Sequence, residues 1–134
     1  MTSRAILDTC VVSYILKDDT RAAGYLQELA GVELLLSFQT LGELYCWPIA
    51  RKWGEARTGE FLAEIRKYPI LPYNERVCWH WAALVKFPGR PMPKSDAWIA
   101  ATALTFNIPL ATHNISDFAH ITSLNTIHVP EQPK

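Results

Sequence analysis

The stretch Glu33-Leu34-Leu35-Leu36-Ser37 decides the fold class of this chain of 134 residues. Three consecutive leucines are typical of a strand that is buried on both faces, as the strands of parallel sheets are. Upstream, residues 20–30 have helical spacing that stops at Gly31, and Ala5-Ile6-Leu7 is another short apolar run. We therefore expect the chain to begin with a β-α-β unit.

The remaining sequence continues this alternation of helices and strands. Helices are predicted at residues 39–53, 55–67, 74–85 and 95–106, with Asn74 and Ser95 as caps, and Ser116 is expected to cap a short helix. Strands are predicted at 69–71, 109–111 and 126–129. Pro48 is expected to kink or shorten its helix, and residues 11–16 fit either a strand or a helix. Because parallel strands require crossover helices, this order predicts a three-layer α/β fold with a mostly parallel sheet.

Length and composition limit the classes to which the protein can belong. A chain of 134 residues is expected to form a single domain, residues 1–134. Hydrophobic residues make up 49% and charged residues 19%, which is the balance of a folded domain and not of a disordered segment. The net charge of +0 excludes nucleic-acid binding through a basic field over the whole domain, so any such contact must be local.

Cysteine usage and hydropathy predict a cytoplasmic protein. Cys10, Cys46 and Cys78 are widely spaced and form no C-x-x-C, so neither a disulfide framework nor a cysteine zinc site is indicated. The first residues are not expected to form a signal peptide, and no apolar run of the sequence is long enough for a transmembrane helix. We therefore expect a soluble, unexported protein that does not contact membranes.

Polar residues cluster after two predicted strands. Asp8 follows the first strand, and Thr112 follows the strand 109–111, with His113 and Asn114 next and Asp117 shortly after. Ligands of open parallel sheets bind beyond the carboxyl ends of the strands, where the strand order reverses. Asp8 and Asp117 are therefore candidate ligand groups, although both positions are equally typical of acids that begin a helix.

Two further acids lie on predicted helices. Asp96 is in line with Ala100 and Ala103, on the face that should meet the sheet, where a carboxylate needs a partner. It fits equally an acid of the first turn, beside Ser95, that the helix dipole favours. Glu43 lies opposite the apolar stripe of its helix and by itself predicts a solvent-exposed side chain. Its neighbour Gly42 would permit a close backbone approach.

A bound cation would explain four acids in one cleft. At an effective dielectric constant near 20, two like charges 4 Å apart repel by about 4 kcal/mol. Ligation by carboxylates alone favours Mg²⁺ or Mn²⁺ over zinc, which prefers His or Cys. The set Asp8, Glu43, Asp96 and Asp117 therefore predicts a site for a hard divalent ion.

The motifs that contain these acids resemble the PIN-domain family, and within it the VapC-type toxins. The resemblance rests on four stretches in this order and covers essentially the whole chain. They are residues 6–10 (ILDTC), 42–45 (GELY), 95–103 (SDAWIAATA) and 111–118 (ATHNISDF). By this resemblance the four acids are metal ligands with catalytic roles, and the supporting polar positions are Thr9, Thr112 and Asn114.

The resemblance also implies a fold and a function. The family's sheet has strand order 3-2-1-4-5, which would set the Asp8 strand beside the Thr112 strand. The implied activity is metal-dependent cleavage of structured cellular RNA by a homodimeric toxin that a cognate antitoxin neutralises. Two features depart from the family pattern: Cys10 stands where many relatives carry Asn or Ser, and the net charge is neutral.

Several residues are candidates for contact with RNA phosphates or with partner proteins. The possible phosphate contacts are Arg51, Lys52, Arg90, Lys94 and His113. Most of the five tryptophans are expected in the core or at an interface. Apolar faces around residues 11–16 with Tyr25 and Leu26, or around residues 47–53, would suit a second subunit or an antitoxin helix.

Two other function classes stay open on the residues alone. A phosphoacceptor receiver domain fits the length, but it needs an acidic pair after the first strand, and Asp8 stands alone there. A catalytically inactive PIN-like binding module would use the acids only structurally. No P-loop, dinucleotide-binding, serine-hydrolase or zinc-protease motif occurs.

Overall fold

One parallel five-stranded sheet organises residues 3–131, the part of the chain that this computed structural model describes. Its order is β3-β2-β1-β4-β5, and the four strand pairs are all parallel, which confirms the predicted fold class. The strands are β1 (Arg4–Leu7), β2 (Glu33–Ser37), β3 (Ile70–Leu71), β4 (Leu110–Ala111) and β5 (Thr126–Ile127).

Helices cover both faces of the sheet. They are α1 (Thr9–Leu16), α2 (Ala22–Glu28), α3 (Phe38–Ala50), α4 (Glu55–Ile65), α5 (Glu75–Val85) and α6 (Lys94–Phe106), with a 3₁₀ helix at Ile115–Asp117. Between residues 3 and 131 none of them has both the length and the apolar character that crossing a bilayer requires.

Alternation along β1 separates two hydrophobic cores. Ile6 belongs to a cluster with buried residues of α5 and α6, whereas Ala5 and Leu7 belong to a cluster with buried residues of α1 to α4. Successive side chains of a strand point to opposite faces, so the two clusters lie on the two sides of the sheet. The result is the predicted three-layer arrangement.

Several predicted boundaries are wrong. Ser95 does not cap α6, because the helix begins one residue earlier, after Pro93, whose backbone is extended (φ −56°, ψ 142°). Ser116 lies inside the 3₁₀ helix, and Asn114 precedes it. β5 ends before Val129, whose backbone N–H donates to the Tyr25 hydroxyl at 3.4 Å.

The remaining boundary predictions hold more closely. Residues 11–16, which fitted two structures, are helical. Asn74 caps α5, since its side chain accepts a hydrogen bond from Val77 N at 2.9 Å. Pro48 lies within α3, which ends two residues later, at Ala50.

Candidate active site

The carboxyl ends of β1 and β4 meet at the point where the strand order reverses. β1 pairs with β2 on one side and β4 on the other, and Leu7 is in register with Ala111. Asp8 and Thr112 therefore leave the sheet side by side, and Asp8 N donates to Ala111 O at 2.9 Å. This edge is where an open parallel sheet binds ligands.

Asp8 is a buried carboxylate with three donors. Its side chain is 5% exposed. Oδ1 accepts from Thr9 N at 2.8 Å, while Oδ2 accepts from the Thr112 hydroxyl at 2.7 Å and the Cys10 thiol at 3.4 Å. Burial raises the pKa of Asp8, against the lowering effect of these donors, and the charge of Glu43 raises it further. The residue both caps α1 and faces a second acid.

Glu43 is half-buried, so the expectation of a solvated side chain is wrong. Its Oε2 accepts a hydrogen bond from the Thr9 hydroxyl, and Oε1 accepts from Gln39 Nε2 at 3.3 Å. The apolar pattern of α3 did not predict this burial, because Thr9 of α1 covers this side of α3. Gly42 also does not act as expected, because a Cβ at this position would meet nothing within 4 Å.

Asp96 shows that the predicted acids share one electrostatic environment. It lies half-buried in the first turn of α6, beside the fully buried Ala100. Burial first, and then the charges of Asp8, Asp117 and Glu43 in that order, raise the pKa of Asp96 to about 6. Acids distant in the sequence are therefore close enough to repel one another.

Asp117 lies at the exposed rim of this acidic group. It is in the 3₁₀ helix after β4, and its backbone N–H donates to Asn114 O at 3.0 Å. Asn114 is itself exposed and donates its backbone N–H to the Thr112 hydroxyl oxygen at 3.1 Å. Asn114 thus supports the site through its main chain.

The donor chemistry of the acidic group fits a hard divalent ion, but the side chains do not enclose one. Within residues 3–131 no three His, Cys, Asp or Glu side chains are close enough together to hold a metal ion. The groups of this set are carboxylates, and burial and then their mutual repulsion raise the pKa of Asp96, which is the conflict that a cation relieves. The residues therefore fit Mg²⁺ or Mn²⁺ by chemistry.

The five predicted phosphate contacts lie on different elements of the fold. Arg90 donates its guanidinium to Ser116 O at 2.6 Å, and exposed Lys94 begins α6. Arg51 and Lys52 follow α3, also exposed. The His113 ring turns to Tyr25, with Nδ1 2.8 Å from the hydroxyl, so its side chain belongs to an aromatic cluster instead of the acidic group.

The predicted partner faces are only partly exposed. Val11, Val12 and Tyr25 are fully buried in the core and offer no surface, which corrects that expectation. Leu26 and Ile49 remain exposed, at 48% and 77%. Of the tryptophans, four are half-buried and packed on other aromatic rings, while Trp79 is 77% exposed.

Sequence reasoning missed two residues behind Glu43. Ser37 and Thr40 are fully buried and polar, and the Thr40 hydroxyl lies 2.9 Å from that of Thr9. The spacing Ser37-x-x-Thr40-x-x-Glu43 was the available signal, because it places a cap and two residues of one helix face after a strand.

Comparison with known sequences identifies relatives over most of the chain. A family profile described as the PIN domain matches residues 5–124. The chain is 36% identical over 126 residues to Ribonuclease VapC1 of Haemophilus influenzae strain R2866, covering 89% of this chain and 92% of the relative.

Solved structures show the same architecture. A chain of VapBC-1 from nontypeable Haemophilus influenzae superposes with a TM-score of 0.77 at 31% identity, covering 93% of this chain and 97% of that one. A chain of VapBC2 from Rickettsia felis, bound to a DNA fragment from its promoter, also gives 0.77, at 20% identity, covering 95% of this chain and 99% of that one. The second likeness bears on the fold alone.

Proposed function

Because the chain belongs to the PIN-domain family, among its VapC-type ribonucleases, we propose that it is a metal-dependent endoribonuclease that acts as the toxin of a toxin–antitoxin pair. The observation that carries this proposal is the meeting of the acids where the strand order reverses: β1 and β4 end side by side, Thr112 donates to Asp8 at 2.7 Å, and Thr9 beside Asp8 donates to Glu43. A group of carboxylates at the sheet edge suits metal-assisted cleavage of a phosphodiester, whereas a receiver domain would also need an acidic pair after β1, where Asp8 stands alone.

The four acids Asp8, Glu43, Asp96 and Asp117 would hold one or two Mg²⁺ or Mn²⁺ ions. When bound, such an ion supplies positive charge for the scissile phosphate and makes a water molecule more acidic. Asp8, held by Thr9 and Thr112, is the rigid member of the group. Both Glu43 oxygens accept hydrogen bonds, whereas Asp117 is exposed, so we assign Asp117 to orient the attacking water and take its proton.

The substrate and partners follow from family membership and from the exposed surface. We propose structured cellular RNA as the substrate, with phosphate contacts from exposed basic residues such as Lys94. The similar solved chain comes from a VapBC complex, which supports a cognate antitoxin as a partner. We also propose a homodimer, for which exposed Ile49, in the predicted apolar face around residues 47–53, is candidate surface.

We further propose that residues 1–134 act as one domain in the cytoplasm. All strands within residues 3–131 belong to one sheet, and the family match extends over residues 5–124 of it. Fractionation of cells that express the chain at native level tests the location.

The decisive experiment compares Asp96→Asn with a matched control, Asp18→Asn. Asp18 is an exposed acid with φ +53°, a conformation that Asn adopts readily, so this control removes a charge without strain. We expect wild type and the control to cleave RNA in Mg²⁺ or Mn²⁺, chelation to stop cleavage, and Asp96→Asn to be inactive but folded.

Two outcomes contradict the proposal. Full activity of Asp96→Asn would remove the mechanism. A folded wild-type chain that neither binds Mn²⁺ nor cuts RNA, yet captures an antitoxin, would instead be an inactive PIN-like binding module.

A further inference from the structure

We propose that Ser37 and Thr40 are positioning residues for Glu43, acting through a buried chain of hydroxyl groups that ends on its carboxylate. The two residues do not touch the acidic group themselves. Thr9, at the start of α1, connects them to it. This inference rests on the proposed function, because Glu43 matters only if the acids form the active site.

The hydrogen bonds between these residues are continuous. The Ser37 hydroxyl lies 3.3 Å from the Thr40 hydroxyl, which lies 2.9 Å from the Thr9 hydroxyl. The Thr9 hydroxyl in turn donates to Oε2 of Glu43. Three hydroxyl groups, from the end of β2, from α3 and from α1, thus form one chain that ends on a single carboxylate oxygen.

The direction of donation follows from the two ends of the chain. At one end, Ser37 Oγ accepts from the backbone N–H of Thr40 at 3.1 Å, so its own hydrogen is free to point to Thr40 Oγ1. At the other end, a carboxylate only accepts, so the hydrogen of Thr9 must point to Glu43. Thr40 therefore donates to Thr9, and every hydroxyl hydrogen points toward Glu43.

Burial makes this chain a constraint on side-chain position. Ser37 and Thr40 are both 0% exposed, so water does not replace a missing partner for either hydroxyl. Aligned hydroxyl dipoles polarise one another in a low-dielectric interior, which strengthens the last bond, the one to Glu43. The chain holds Oε2 on the side of α1 and fixes the orientation of the whole carboxylate.

Fixing a candidate ligand in this way resembles the support that metal sites receive from residues behind their ligands. Loss of such a partner typically lowers metal affinity or activity by about 10- to 100-fold. Thr40 is the residue to change, since Val keeps its shape and removes only the hydroxyl group. Thr40→Ser restores a hydroxyl at the same atom.

Thr102 provides a matched control. It is also 0% exposed, lies in the middle of α6, and donates its hydroxyl to Trp98 O at 2.8 Å within its own helix. Thr102→Val therefore removes one buried hydroxyl, as Thr40→Val does, with one hydrogen bond lost instead of two. It leaves every hydrogen bond to the acids intact.

The experiment measures Mn²⁺ dissociation constants by titration calorimetry on the full chain, thermal unfolding without metal, and RNA cleavage rates. We expect Thr40→Val to weaken Mn²⁺ binding and slow cleavage by about 10-fold or more. Thr40→Ser and Thr102→Val should bind Mn²⁺ as the wild type does. Ser37→Ala should also weaken Mn²⁺ binding and slow cleavage, by a smaller factor than Thr40→Val.

The remaining outcomes are separable. If wild type binds Mn²⁺ and cuts RNA but Thr40→Val binds the ion equally well, the hydroxyl chain has no positioning role and the proposed function stands. The same holds if Thr102→Val weakens Mn²⁺ binding as much. Should Thr40→Val fail to fold, unchanged Mn²⁺ binding by Ser37→Ala overturns the inference. If wild type neither binds Mn²⁺ nor cuts RNA, both proposals fail.

Discussion

The Thr112 hydroxyl donates to Oδ2 of Asp8 over 2.7 Å and joins residues 104 positions apart in the sequence. The backbone N–H of Asn114 donates to the same hydroxyl oxygen, which leaves the Thr112 hydrogen for Asp8. Thr112 is fully buried, and Asp8 nearly so. A single side chain after β4 therefore stabilises the charged residue after β1, and the pairing of these strands sets the site.

Thr112→Val should destabilise the metal-free protein by about 1.5–3 kcal/mol, the range for a hydrogen bond to a charged group. The substitution leaves a buried carboxylate without its shortest donor. Thr112→Ser keeps the hydroxyl and should unfold near the wild-type midpoint. Urea denaturation at pH 7.5 measures the free energy of unfolding of both variants and of the wild type. Equal stability of the Val and Ser variants would show that this bond contributes nothing.

The stability of the metal-free protein should depend on pH through Asp96. Its pKa in the folded chain, about 6, is above the ordinary value of 3.8, so folding disfavours the charged form. This penalty is fully present above about pH 6 and is lost as the pH falls from about 6 to 3.8. Asp96→Asn never carries the penalty and should therefore be the more stable protein at pH 7.5.

Thermal unfolding of wild type and Asp96→Asn between pH 4 and 8, with and without Mn²⁺, checks this. In chelator the unfolding temperature of Asp96→Asn should exceed that of wild type most at pH 8, and this difference should shrink toward pH 4. With Mn²⁺ at pH 7.5 the order should reverse, because the ion stabilises only the protein that binds it. A difference that is constant across pH in chelator would contradict the assignment.

The sequence predicts those parts of the site that depend on a single element. Ala100 and Ala103 are almost fully buried, as the helical pattern through Asp96 required. The carboxyl ends of the first and fourth strands lie side by side, as the family resemblance implied. The burial of the alanines follows from one helix alone, whereas the adjacency of the two strands followed from the resemblance.

The hydrophobic and capping patterns of the sequence did not predict contacts between different helices and strands. Glu43 faces away from the apolar stripe of its own helix, and only the placement of α1 makes it half-buried. The Ser95 cap failed because the conformation of Pro93, not the capping preference of serine, sets where α6 begins. His113 follows a site strand, but the Tyr25 hydroxyl of α2 turns its ring away. The local propensities of these residues predict none of these three features.

Cys10 should resist alkylation in the folded protein. Burial, and next the charge of Asp8, raises the pKa of its thiol to about 12, so at pH 8 only about one molecule in 10⁴ carries the reactive thiolate. Cys46 and Cys78 are exposed. We expect iodoacetamide at pH 8 to modify these two rapidly and Cys10 only after unfolding in guanidinium. Mass spectrometry of peptides measures the modification of each cysteine. Rapid modification of Cys10 in the native protein would contradict the burial of its thiol.

Arg90 and Lys94 should affect RNA cleavage in different ways, although both are basic residues near the start of α6. Lys94 is exposed, and its loss should reduce the slope of log affinity against log salt by about 0.7 to 0.9, the range for one phosphate contact in single strands and in duplexes. The Arg90 guanidinium instead donates to Ser116 O at 2.6 Å, beside Asp117. Arg90→Ala should therefore leave the salt slope unchanged and lower kcat, because the 3₁₀ helix that carries Asp117 loses a tether.

Binding isotherms at several salt concentrations, in the inactive Asp96→Asn background, measure the slopes, and single-turnover cleavage with each substitution alone measures the rates. Arg57→Ala is the control, since Arg57 lies over Trp53 at 4.0 Å on α4 and should change neither quantity. A salt slope that falls with Arg90→Ala, at unchanged kcat, would make Arg90 a phosphate contact and leave the placement of Asp117 to the backbone of its own turn.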